Sequence, residues 1–129
     1  MTRAVTVNKT LVVLGAEKVH YSNDAMIGFA IWGNACLAGR RVDELVAEFV
    51  GGLTNTTSPR SAGRELAGFL GSEGKKDGRP WTALRGGVHV CGYQDGVSVL
   101  FHVHTGPDLP APQGPFGLHE DFPDAGEGY

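Results

Sequence analysis

Two histidines and one carboxylate are the first residues in this chain whose types and spacing could do chemistry. They are His102, His104 and Asp108, in the run Gly96 to Asp108, GVSVLFHVHTGPD. On a strand, a spacing of two places both imidazoles on one face, and two histidines with a carboxylate are the donor set of an iron or manganese site. Without a metal, His102 and His104 are same-face histidines on an exposed strand, and His20 and His89 hold ordinary strand positions. Cys36 and Cys91 are the only cysteines. They are widely spaced among small or apolar neighbours, which suits two buried thiols better than a disulfide framework or a zinc site.

The elements that must position such residues are legible in part. Val88 to Tyr93 and Val97 to His104 alternate as strands, and Gln94-Asp95-Gly96 between them contains the Asp-Gly pair of tight hairpins. Nearer the N-terminus, Lys18 to Tyr21 alternates as a short strand, Ser22-Asn23-Asp24 supplies turn chemistry, and Met26 to Trp32 has the length of a buried strand. Phe29 and Trp32 are expected in the core. From Leu37 the period changes, and Val42, Leu45, Val46, Phe49, Val50 and Leu53 mark a helix ended by Gly51-Gly52. A second helix begins at Ser58-Pro59, with Ala62, Leu66, Phe69 and Leu70 as its stripe and two weakening glycines, Gly63 and Gly68. The run GSEGKKDGRP after it reads as a solvated linker. Thr2 to Gly15 reads as one extended segment, with Asn8-Lys9 as a turn, expected to pair beside the strand that starts at Lys18. From Pro107 onward, proline, glycine and acids dominate, and a loose tail is expected.

A lysine opening one strand, a glycine closing the next and an amphipathic helix leaving that glycine form a pattern with a known counterpart. Lys18-Val19-His20-Tyr21-Ser22-Asn23-Asp24, then Ile27 to Trp32, then Gly33, resembles the proteasome β-subunit and HslV branch of the N-terminal nucleophile (Ntn) hydrolases. Thr2-Arg3-Ala4 is similar to that family's D-x-R-A segment, and Val88 to Phe101 to its later hairpin, followed by Gly106-Pro107-Asp108. The resemblance runs from Thr2 to Asp108. It implies an α+β fold, an incomplete αββα sandwich of antiparallel strands with two helices on one face. Residues 1–108 would be a partial domain of that kind, and 109–129 a proline, glycine and acid tail.

The resemblance also implies a chemistry. Members of that family use the first residue of the mature chain, Thr, Ser or Cys, as nucleophile, with its own α-amino group as base. A lysine tunes that amine and a backbone N–H forms the oxyanion hole. Carried over by motif, Lys18 matches the lysine, Gly33 the oxyanion glycine and Arg3 the arginine of D-x-R, while Ile31 and Ala35 would line the substrate pocket. The aspartate of D-x-R falls at Met1, and the strand that carries the nucleophile would lie before it. The expectation is a chain with a late start or a gene truncated at both ends, inactive alone. The full family protein would be a threonine-type endopeptidase or amidohydrolase acting on peptide or amide substrates without a cofactor. A non-catalytic subunit of a homo-oligomer or ring is the alternative.

The histidine segment carries a different resemblance, to the opening of the first cupin motif, with Asp108 where glutamate is usual. A second cupin motif needs a later histidine, and His119 in PFGLHED is the one candidate. It follows His104 too closely for intervening strands, and helices between Leu37 and Leu70 do not belong in a cupin barrel.

Composition narrows the classes further. The chain has 129 residues, room for one domain. Its 11 Lys and Arg against 14 Asp and Glu leave a net charge of -3, so no broad basic field attracts nucleic acid or anionic lipid. The apolar run Leu11 to Leu14 is too short for a signal-peptide core or a membrane span. A cytoplasmic protein is expected.

Overall fold

The computed structural model describes residues 2–7, 10–33, 36–79, 84–105 and 117–121. In chain order these form β1 (Thr2–Val7), β2 (Thr10–Glu17), β3 (Val19–Ser22), β4 (Ile27–Gly33), β5 (Cys36–Leu37), β6 (Arg40–Arg41), α1 (Val42–Gly51), α2 (Pro59–Lys76), β7 (Gly86–Gln94), β8 (Val97–Thr105) and β9 (Gly117–Asp121). The class is α+β. Its centre is a five-stranded antiparallel sheet in the order β3-β4-β7-β8-β9.

Strand parity decides which face the helices cover. Phe29, Val90 and Phe101 lie in one cross-strand row and Ile31, Val88 and Val103 in the next. All six are buried with Leu45, Val46, Leu66 and Leu70 from the helices, forming one apolar core on one side of the sheet. Phe49 joins at its edge, its ring meeting Phe29 edge-on at 6.2 Å. α2 lies along β7, β8 and β9, and α1 packs on β3.

The helix boundaries differ from the sequence expectation at both ends. α1 begins at Val42 and not near Leu37, because Cys36–Leu37 and Arg40–Arg41 fold into a small hairpin. Its turn residues, Ala38 and Gly39, both have positive φ, 49° and 81°, which no helix accommodates. α2 starts as expected, with Ser58 and Ser61 exchanging side-chain-to-backbone hydrogen bonds in a capping box. It then continues through Lys76, so the first six residues of the expected linker are helical. Packing offsets the glycine penalty there: Glu73 and Gly74 are buried, and Lys76 Nζ donates to Glu73 Oε1 at 3.1 Å. Beyond the helix, Asp77 accepts the Ala38 N–H at 2.7 Å and Arg79 donates to the Cys36 carbonyl at 3.0 Å, tying α2 to the small hairpin.

Two further expectations are corrected. β1 and β2 pair with each other in a separate two-stranded sheet, not beside the strand that follows Lys18. Gly117–Asp121, assigned to the tail by composition, is an edge strand whose backbone pairs with β8. Among the described residues no helix is long and apolar enough to cross a membrane.

Candidate functional site

The turn Asp95-Gly96 has φ of 54° and 78°, the paired positive values of a two-residue hairpin, and it sets the register of β7 and β8. That register pairs His89 with His102, and the next position along the same face of β8 is His104. This is the face opposite the helices. The rings of His89 and His102 stack at 4.4 Å with 16° between planes, and those of His102 and His104 at 4.3 Å with 17°. His102 is therefore the middle ring of three. β9 places His119 opposite His102 on the far side.

Trp32, near the end of β4, reaches this stack. Its Nε1–H donates to His102 Nε2 at 2.9 Å, which requires that nitrogen to be unprotonated. The indole is on the helix-free face and 39 % exposed, so Trp32 is not the core residue expected from sequence, whereas Phe29 is. His102 is only 7 % exposed, which corrects its placement on an exposed strand. Burial pushes the His89 imidazole below its ordinary value, favouring the neutral ring.

This arrangement does not suit the metal reading. Imidazole donates to a metal in its ring plane, and nearly parallel stacked rings do not direct their nitrogens at one point. His102 Nε2 is also taken by the indole. Among the described residues no group of three or more His, Cys, Asp or Glu could hold a metal ion. Asp108 lies outside the described residues.

The lysine and glycine singled out by resemblance fall at one end of the same sheet. The Ile31 N–H donates to the Lys18 carbonyl at 2.7 Å, so Lys18 stands opposite Ile31, two positions before Gly33. Gly33 pairs with Gly86, and Gly86 with Thr105, so the ends of three strands meet there. Glycine at 33 is obligatory for two reasons. Its φ is +86°, and a Cβ would come within 2.3 Å of Gly86 Cα and 2.4 Å of the Arg85 carbonyl oxygen. Lys18 is half-buried. Arg3 is in β1 opposite Ala16 of β2, outside the five-stranded sheet. Ile31 is buried in the core, and Ala35 lies outside the described residues.

At the other end of the helix-free face is a cavity of about 390 Å³ lined by Tyr21, Met26, Gly28, Cys91, Gly92, Tyr93, Ser98 and Val99. Cys91, expected to be buried, is exposed there, because it shares the parity of His89 and not that of Val90. Cys36 is partly buried.

His89 and Trp32 are the residues that sequence reasoning passed over. The signal for His89 was present: with Asp95-Gly96 as a two-residue turn, counting back along both strands sets 89 opposite 102. Trp32 carried no such signal, since an apolar run does not reveal which alternate residues face the helices. No protein-family model, curated protein or solved structure matches the chain.

Proposed function

We propose that this chain carries the helix-bearing layer of a proteasome-like Ntn-hydrolase sandwich and acts as a subunit of an oligomer. The observation that carries the proposal is the shared end of Lys18 and Gly33: a lysine just before β3 and an obligatory glycine closing β4, from which the chain proceeds through a short hairpin into α1. An oxyanion donor must be a rigid backbone N–H, and the constraint on Gly33, where a Cβ would strike Gly86 Cα and the Arg85 carbonyl oxygen, supports that role for it. The helix-free sheet face supports the assembly half of the proposal. It exposes Val19, Tyr21, Trp32 and Tyr93, apolar surface of the kind a second layer covers.

The test is to incubate the purified chain with a panel of fluorogenic peptide amides and with a peptide epoxyketone. An epoxyketone captures both the hydroxyl and the α-amine of an N-terminal nucleophile. Intact mass and light scattering are read in parallel. The expected result is an oligomer. Turnover with an adduct on the N-terminal residue would place a nucleophile on the β1 hairpin. An inert monomer would overturn the subunit reading.

A further inference from the structure

His102 is held by contacts of two kinds that respond differently to a proton. Its ring faces lie against His89 at 4.4 Å and His104 at 4.3 Å, and its Nε2 accepts the Trp32 indole N–H at 2.9 Å. A proton on Nε2 abolishes the acceptor and turns the indole N–H toward another donor. A proton elsewhere in the stack sets a positive charge about 4 Å from a neighbouring imidazole.

We propose that Trp32 and the His89-His102-His104 stack form a proton-operated latch. With the stack neutral, the indole is fastened to β8. When the stack takes up a proton, the indole is released while the sheet beneath stays folded. The latch is mechanically close to Gly33, the next residue after Trp32, whose φ of +86° and approach to Gly86 are held by the same strand end. A consequence for amide chemistry at Gly33 rests on the function proposed above, but the latch itself does not.

Burial favours the neutral form of His89. On β4 the positions that share its face are Ala30 and Trp32, neither of which titrates. On β7 the neighbour of His89 along the strand face is Cys91, and burial alone pushes His89 down. On β8, Leu100 precedes His102 on this face. On β9 the paired positions are His119, opposite His102, and Asp121, opposite Leu100.

The experiment uses the whole chain labelled with ¹⁵N at the indole nitrogens and followed by NMR from pH 8 to pH 5, with Trp32→Phe identifying the Trp32 resonance. The expected result is a Trp32 indole signal that shifts and gains solvent exchange within that pH range, while the backbone amide spectrum is retained. His102→Phe, which keeps a stacked ring but no titrating nitrogen, should abolish that transition. A Trp32 signal unchanged down to pH 5 would overturn the latch. So would its loss together with the entire amide spectrum, which would mean global unfolding and no local device. The wild-type titration stands without the variant, and neither outcome depends on whether the chain hydrolyses amides.

Discussion

The Trp32 Nε1–H and His102 Nε2 meet at 2.9 Å across 70 residues of sequence, joining the end of β4 to β8, the fourth strand of the sheet, over the intervening β7. Opposite Trp32 on β7 stands Gly87, where a Cβ would fall within 2.5 Å of the Val103 carbonyl oxygen and 2.7 Å of His104 Cβ. A side chain at 87 would clash with β8 beside the residue that stacks on His102. The bond therefore depends on a glycine that takes no part in it.

Removing the donor leaves a buried imidazole nitrogen without its indole partner. Trp32→Phe is expected to lower the free energy of unfolding by about 1–3 kcal/mol, measured by urea denaturation. The double mutant with His102→Phe should lose less than the sum of the two single losses, with a coupling of about 0.5–3 kcal/mol. Strict additivity would show that the contact contributes nothing to stability.

Gly33 and Gly39 have nearly the same φ, +86° and +81°, but different surroundings. A Cβ at 39 meets nothing within 4 Å. Gly39→Ala should therefore cost only left-handed backbone strain, about 1–2 kcal/mol. Gly33→Ala adds a clash with the Gly86 and Arg85 backbone and should cost more than that, with loss of the soluble folded chain at the extreme. Equal melting temperatures for the two variants would sink this distinction.

Stability should fall with acid in two separate windows. The Arg79 guanidinium first, then the Ala38 and Arg79 N–H groups, hold the Asp77 carboxyl well below the usual carboxylate range. A depressed acid adds stability above its unfolded value, about 3.9, and loses it as pH falls toward the folded value. His89 is a depressed base, so the unfolded chain binds its proton first and stability declines as pH drops below about 6.5. Thermal melts of Asp77→Asn should lose the lower decline and keep the upper one, and His89→Phe the reverse.

The cap of α2 is a local and cheaper matter. Ser58 Oγ accepts the Ser61 N–H at 3.2 Å, and Ser58→Ala should cost about 1 kcal/mol in the same denaturation assay. No change would mean that Pro59 and the packing of Leu66 and Leu70 hold the helix start without it.

Short-range chemistry explains what was legible in the residues alone. Asp95-Gly96 specifies a two-residue turn and therefore the whole register of β7 against β8, so the facing of His89 and His102 was determined by sequence even where it was not noticed. The stripe from Val42 to Leu53 and the Ser58-Pro59 start likewise act within a few residues of themselves, and both helices form where they point. Tertiary structure decided the rest. The glycine-rich run after Leu70 is helical because Glu73 and Gly74 are buried and Asp77 and Arg79 anchor the helix end to the β5–β6 hairpin. Gly117–Asp121 is a strand because β8 offers an edge for its backbone. The exposed placement of Trp32 and Cys91 depends on which side of the sheet the helices occupy, a choice made by the packing of Phe29, Val90 and Phe101 against them. Periodicity states that two faces differ, and only the folded chain states what covers each.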